Sequence, residues 1–254
     1  MNTEIGHQVL TGDCFYHGII EYIDNPEFAE LIKSCSHYRK NITNYIKTKT
    51  KLRINKRLHD IFEDRTEQFK QIIEETGAII SGSFVLQCIL NEKWKGDIDI
   101  YTSINKNDYK NSDNKFVDNF SYTILDIFLA EIMDRNINVS GYWNTLHHKV
   151  KCVRTFENSK KVKIHVIQLD IENYNELYDL IKYNYDYDIY KNIYYIEDLK
   201  DNISIYALNK ILTKETYFRL CCSWNTSIIR YQKYIEDLNY HMFKSMPPTE
   251  YLKK

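Results

Sequence analysis

The sequence predicts an α+β protein in which a sheet core is preceded and followed by helices, and three observations support this fold class. Apolar residues at helical spacing dominate the first 76 residues, short apolar or alternating runs typical of strands occur within residues 77–169, and helical spacing returns near the C-terminus. We therefore divide the chain into a helical N-terminal region (1–76), a core (77–190) and a helical C-terminal region (191–254).

The composition is that of an ordinary globular chain. Its 254 residues suffice for a substantial core, and 34 basic against 35 acidic residues leave a net charge of -1, which provides no overall field for nucleic acid. The six cysteines show no Cys-x-x-Cys spacing, so neither zinc nor a disulfide framework is expected. Since no apolar run approaches the length of a membrane span, we expect no membrane partner and an intracellular, cytoplasmic and reducing location.

The N-terminal region is predicted as a series of helices. Short helices are indicated within residues 13–35, and a long amphipathic helix is predicted over residues 52–76, ending at Gly77. A basic run occupies residues 47–57. A solvated helical face is the simpler interpretation of this run, and contact with nucleic acid is the alternative.

The most informative stretch is residues 77–102. A short apolar run predicts a buried strand, Gly82 and Ser83 form a turn, and a helix follows, so that backbone N–H groups at its start would attract phosphate. Asp97 and Asp99 then alternate with apolar residues as in a strand and project from one face. Because two neighbouring carboxylates repel each other, we expect a divalent cation, Mg²⁺ or Mn²⁺, at this pair.

Gly82-Ser83 followed at a distance by Asp97-x-Asp99 resembles the signature of the nucleotidyltransferase-fold superfamily, which includes poly(A) polymerases, CCA-adding enzymes and polymerase β. The resemblance implies a mixed β-sheet core, with a third carboxylate on a later strand. It also implies Mg²⁺-dependent transfer of a nucleoside monophosphate from an NTP to a hydroxyl acceptor, which is an RNA, a protein or a small molecule. Ser83 and the adjacent backbone would hold the phosphates.

A closer resemblance is to uncharacterised nucleotidyltransferase-like proteins of large DNA viruses. It rests on Ser-Gly-Ser-Phe-x-Leu-Gln, on Trp-x-Gly-Asp-Ile-Asp-Ile and on Asp186-Tyr-Asp-Ile-Tyr-Lys-Asn192. This resemblance implies a viral protein without an established substrate.

The third carboxylate is where the sequence departs from the family pattern. The strand predicted over residues 162–169 offers His165 and Gln168 in its middle, and the only acid, Asp170, lies at its end. Asp170 is the candidate third metal ligand. His165 is a candidate base, with a purely structural histidine as the alternative.

If the third acid is missing, the alternative function is a catalytically inactive binding or adaptor protein. Its protein partner would bind the N-terminal helices of residues 13–35, which loosely resemble an F-box. The Leu-Pro pair that usually opens an F-box is replaced here by Leu10-Thr11-Gly12.

The remaining elements are predicted from apolar spacing. Helices are expected over residues 117–133, 174–183, 205–218 and 227–238, and further strands over residues 149–153 and 185–190.

Four further residues of these elements are candidates for the site. Arg230 and Lys233, on the last predicted helix, are candidates for contact with a triphosphate, with solvated helix charges as the alternative. Asp186 and Asp188 form a second Asp-x-Asp that we rank below the first, because no Gly-Ser turn precedes it.

Overall fold

The computed structural model describes residues 36–94, 96–103, 123–138, 149–171, 174–185, 187–214 and 216, together with Glu27, Glu30 and Lys33. The helices of this part of the chain are α1 (Ser36–Phe62), α2 (Thr66–Glu75), α3 (Ser83–Leu90), α4 (Ile124–Ile132), α5 (Tyr174–Asn184) and α6 (Leu208–Leu212).

The strands form one mixed sheet. They are β1 (Ile79–Ser81), β2 (Ile98–Ser103), β3 (Arg135–Asn138), β4 (Val150–Glu157), β5 (Lys163–Leu169), β6 (Ile193–Glu197) and β7 (Lys200–Ser204).

The order of the strands within the described residues is β3-β4-β5-β2-β1-β6-β7. Only the β2–β5 pair in this sheet is parallel, and the chain makes the long connection that a parallel pair requires through α4, β3 and β4. Since helices flank this sheet, the predicted α+β fold class with a mixed sheet core is confirmed.

The two faces of the sheet are covered by different helices. Ile98 and Ile100 on β2 belong to a large core that α1, α2, α3 and α4 share. Residues of the opposite parity, such as Tyr101, belong to a second cluster that contains Leu177 and Ile181 of α5. Asp99 therefore lies on the same face of β2 as Tyr101, toward α5.

The prediction of one helix over residues 52–76 is wrong. Helix α1 runs without interruption to Phe62, and the chain then turns through a 3-10 segment, Glu63–Arg65, in which Glu63 has a φ of 52°. Phe62 and Phe69, on either side of the turn, stack with ring centroids 4.1 Å apart. Because both helices pack on one core, the apolar spacing continues across the turn and conceals it.

Helix α4 begins later than predicted within residues 117–133. Thr123 and Asp126 form a complete capping box at its N-terminus, which places the first helical residue at Ile124. Residues 117–122 lie outside the described residues, as do the F-box-like residues 13–26 and the predicted helix over 227–238.

The strand predicted over residues 185–190 is wrong. Asp188–Tyr190 forms a 3-10 turn, and Tyr187 and Tyr190 are both buried, with their rings edge to face at 86°. The sheet instead continues through β6 and β7 to Ser204, beyond the predicted core limit at residue 190.

No helix in the described part of the chain is long and apolar enough to span a membrane.

Asp201 on β7 joins the sheet edge to the helices. Its carboxylate accepts hydrogen bonds from Asn55 of α1 and from Tyr194 of β6, both at 2.6 Å, and Lys70 of α2 lies 3.3 Å away. Burial by itself raises the pKa of Asp201, but the two hydrogen bonds and the charge of Lys70 outweigh it and lower the pKa below its usual value. The charged form is therefore the one that stabilises the fold.

We expect Asp201→Asn to lower the free energy of unfolding at pH 7 by about 2 kcal/mol, because bonds to a charged acceptor weaken. A lowered carboxyl pKa contributes stability above the unfolded pKa, and this contribution is lost as the pH falls through the folded pKa. In urea unfolding, the difference in free energy of unfolding between Asp201→Asn and the wild-type protein should therefore be smaller at about pH 3 than at pH 7. Asp198→Asn, at an exposed turn position, is the matched control. An equal loss at both pH values would contradict this account.

Candidate functional site

Gly82 places the turn after β1 directly against a carboxylate. Its φ of 80° and ψ of -149° belong to a region that side chains rarely adopt. A Cβ at this position would lie 2.8 Å from Asp99 Oδ2 and 3.6 Å from Tyr185 Oη. The chain therefore needs glycine here for both its conformation and its close approach to Asp99.

Helix α3 begins at this turn without a side-chain cap. Gly82 is its N-cap residue and makes no capping hydrogen bond, in contrast to the complete capping box at the start of α4. The partial positive charge of an uncapped helix N-terminus favours anions. Ser83, the first residue of α3, is 7% exposed. The predicted turn of Gly82 and Ser83 therefore exists and opens a helix.

Asp97 and Asp99 come together with His165 because β2 and β5 are parallel. The register places Asp99 opposite His165, whose Nε2 lies 3.2 Å from Asp97 Oδ2. Nδ1 of the same ring lies 2.8 Å from the Thr155 hydroxyl. Both ring nitrogens are thus engaged, and Nε2 carries the proton that it donates to Asp97. The side chain of Asp97 is 43% exposed and accessible to a ligand.

The surroundings of His165 favour its protonated form. Burial by itself lowers the pKa of His165, but the hydrogen bond to Asp97 and the negative charges of Asp99 and Asp97 outweigh it. The pKa is therefore raised above its usual value. A cationic imidazolium offsets part of the negative charge of the two carboxylates.

Asp170 is not brought to this cluster. It follows the C-terminal end of β5, five residues after His165. At the rise of a parallel strand, these five residues place it about 16 Å from His165. There it forms an ion pair with Lys151 at 3.0 Å and is 62% exposed. The residue of β5 that lies opposite Asp99 is His165.

The other predicted candidates also lie away from the cluster or outside the described residues. Asp188 of the second Asp-x-Asp is buried and accepts hydrogen bonds from Lys210 and Thr216 at 2.7 and 2.8 Å. Its contacts are those of a structural residue. Asp186, Arg230 and Lys233 lie outside the described residues.

Three residues at the site were not predicted from the sequence. Thr155 reaches His165 from β4, and Tyr101 and Tyr185 join their hydroxyl groups at 2.6 Å beside Gly82. The sequence could have indicated Tyr101, because it follows Asp99 by two positions and so lies on the same face of the strand. It could not have indicated Thr155 or Tyr185, because pairing between distant segments brings them to the site.

Among the residues that the structure describes, there is no group of three or more His, Cys, Asp or Glu side chains that could hold a metal ion. Asp97 and Asp99 could hold a cation such as Mg²⁺, which commonly takes one or two carboxylates and completes its shell with water and substrate phosphates.

Two solved structures are similar to the chain, and both are CCA-adding enzymes. One, an apo form, has a TM-score of 0.46 and 12% identity, over 77% of this chain and 43% of that one. The other, the Thermotoga maritima enzyme complexed with tRNA, has a TM-score of 0.44 and 13% identity, over 75% and 41%. The chain thus spans less than half the length of either enzyme. At these scores the similarity assigns neither activity nor substrate to this chain.

No protein-family model and no curated protein matches the chain.

We expect Gly82→Ala to lower the free energy of unfolding by about 3 kcal/mol, because backbone strain adds to the contact with Asp99. Gly77→Ala is the matched control. Gly77 also has a positive φ, 59°, but nothing lies within 4 Å of an added Cβ, so only about 1 kcal/mol should be lost. Urea unfolding of both variants measures the difference. Equal losses would show that the approach of Gly82 to Asp99 is not close.

We expect Asp97→Asn to lower the pKa of His165 in the metal-free protein, because the hydrogen bond to a negative carboxylate is lost. Proton NMR of the imidazole measures this pKa. A raised histidine pKa contributes stability that is fully present below the unfolded pKa, near 6.5, and is lost as the pH rises through the folded pKa. Asp170→Asn, at the far end of β5, should leave the pKa unchanged. A larger effect of Asp170→Asn than of Asp97→Asn would overturn the assignment.

Proposed function

We propose that this protein is a Mg²⁺-dependent nucleotidyltransferase, which transfers a nucleoside monophosphate from an NTP to a hydroxyl acceptor. One observation carries the proposal: the carboxylate of Asp99 lies against the Gly82-Ser83 turn, where α3 begins without a side-chain cap, and Asp97 directly follows Gly96, which reaches Ser83. A place suited to phosphate and a place suited to a cation are thereby adjacent. The order of strand, turn, helix and strand is the one that the sequence resemblance implies.

The turn is the part of the site that would hold phosphates. Its glycine lets the substrate approach the backbone closely, and the first N–H groups of α3 point toward the turn. The Ser83 hydroxyl lies under Gly96 and Ser83 is 7% exposed, so backbone N–H groups and not this hydroxyl would hold the phosphates. These groups bind the triphosphate through hydrogen bonds and the helix dipole, and both depend on the position of Gly82.

Asp97 and Asp99 fit a magnesium ion. Mg²⁺ prefers oxygen ligands, and it commonly takes one or two carboxylates and completes its shell with water and substrate phosphates. The exposure of Asp97 leaves room for such a shared shell. When bound, Mg²⁺ would neutralise negative charge on the phosphates.

The transfer step conserves atoms and charge as follows. The acceptor oxygen forms a bond to the α-phosphorus, the bond from that phosphorus to the bridging oxygen breaks, and pyrophosphate leaves with the electron pair. The proton of the acceptor hydroxyl is released to solvent. His165 holds Asp97 through Nε2 and is itself held by Thr155, so its role is to orient this carboxylate. Catalysis of this kind depends mainly on positioning and electrostatic stabilisation.

One observation favours a second candidate function, a protein that binds nucleotide without transferring it. The resemblance implies a third acid on a later strand, but on β5 the residue opposite Asp99 is His165 and Asp170 lies at the far end. Such a protein would act as an adaptor and bind a protein partner through its N-terminal helices. It would still bind Mg²⁺ and NTP through Asp97 and Asp99, so turnover separates it from the enzyme.

We expect Mg²⁺ with an NTP to stabilise the protein against thermal unfolding, by about 2.7 kcal/mol at a hundredfold excess over Kd. The double variant Asp97→Asn/Asp99→Asn should lose this stabilisation, because the carboxylates that hold the cation are gone. Asp60→Asn/Asp64→Asn, two exposed carboxylates, is the matched control and should keep it. Thermal unfolding with each NTP, with and without Mg²⁺ or Mn²⁺, makes the measurement.

Stabilisation that survives in Asp97→Asn/Asp99→Asn would exclude this site. If nucleotide binds, release of pyrophosphate in the presence of RNA, protein or small-molecule acceptors decides between the enzyme and the adaptor.

A further inference from the structure

The segment after α3 folds back along that helix and leads to Asp97. Asn91 ends the helix in the left-handed conformation, with a φ of 57°, and reverses the chain direction. The N–H of Glu92 then donates to the Gln87 carbonyl at 3.0 Å. Trp94 follows along the helix, and Gly96 reaches Ser83 at its N-terminus. We call Glu92–Trp94 and Gly96 the return segment.

The side chain of Gln87 holds the middle of the return segment. It is 5% exposed, and its Oε1 accepts a hydrogen bond from the Trp94 N–H at 3.2 Å. Its Nε2 lies under Gly96, since a Cβ on that glycine would be 2.8 Å from Nε2 and 3.0 Å from Ser83 Oγ. One buried amide thus contacts the return segment at two places.

Arg57 of α1 supports the same contacts from the other side. Its Nη1 donates to Gln87 Oε1 at 3.3 Å, and its Nη2 donates to the carbonyl of Glu92 at 2.5 Å. The guanidinium therefore joins the amide of Gln87 to the backbone of the return segment. A buried amide with its acceptor doubly engaged has little freedom to rotate.

The return segment helps to set where Asp97 stands. Asp97 follows Gly96 directly and precedes Ile98, the first residue of β2, so the return segment holds its backbone on one side and the strand on the other. Its carboxylate also contacts His165. A displacement of Gly96 would move the carboxylate and would also uncover the Ser83 hydroxyl.

We propose that Gln87 is a positioning residue of the site, which together with Arg57 seats the return segment so that Asp97 faces His165 and Gly96 covers Ser83. The expected effect of this role on Mg²⁺ and NTP binding rests on the proposed function. The expected effect on the position of Asp97 is independent of that function. Residues that orient metal ligands typically change affinity roughly 10- to 100-fold when they are replaced.

The experiment replaces Gln87 by methionine, which has a similar shape but no amide. The ¹⁵N shifts of the His165 ring in the metal-free protein report its hydrogen bond with Asp97. We expect them to move toward those of Asp97→Asn, and the affinity for Mg²⁺-ATP to fall at least tenfold. Gln71→Met, which removes an exposed amide bonded to Glu75 on α2, is the matched control and should change neither. A folded Gln87→Met with unchanged ring shifts overturns the proposal.

A second variant makes the test independent of how well Gln87→Met folds. Arg57→Met removes the donor to both Gln87 and Glu92, so the same ring shifts should move in the same direction, and unchanged shifts overturn the proposal. In the double variant the two effects should be less than additive, because both act through the return segment.

The two readouts separate the two proposals. Ring shifts that move in a protein that binds none of the four NTPs with Mg²⁺ would support the positioning role and reject the proposed nucleotide site. Unchanged shifts in a protein that binds Mg²⁺-NTP would reject the positioning role and support the nucleotide site.

Discussion

The close approach of the Gly82 backbone to the Asp99 carboxylate is the constraint on which the candidate site depends. Strands β1 and β2 pair with Ser81 opposite Asp99, so the chain that leaves β1 must pass over that carboxylate. Only a glycine fits here, because its backbone adopts the positive φ and because a Cβ at this position would lie 2.8 Å from Asp99 Oδ2. Because α3 begins at the same residue, one contact places a helix N-terminus beside Asp99 of β2.

The carboxylates of the site differ in their surroundings from the structural carboxylates of this protein. Asp126 is buried against Arg154 at 2.6 Å, and Asp188 is held by Lys210. These groups have permanently charged partners, so their charge is offset within the fold. Asp97 instead faces His165, which is charged only when protonated. The balance of charge at this place therefore changes with pH, unlike that of the two structural ion pairs.

The sequence allowed the turn and the acidic pair to be predicted, because both are local. Gly82, Ser83, Asp97 and Asp99 lie within one short stretch, and strand alternation puts the two acidic residues on one face. The third position could not be assigned in the same way. The sequence favours Asp170 because it is the acid at the end of this strand, yet the parallel register brings His165 to Asp99 and leaves Asp170 at the other end of β5.

Local pattern thus determined the fold class, the turn and the face that carries Asp97 and Asp99, since hydrophobic period and glycine geometry act over a few residues. Only the tertiary structure decided which residues meet at that face. The pairing of β2 with β5 selected His165, that of β4 with β5 added Thr155, and the packing of α1 on α3 brought Arg57 to Gln87. Each depends on contacts between segments far apart in the chain, whose register no short pattern specifies.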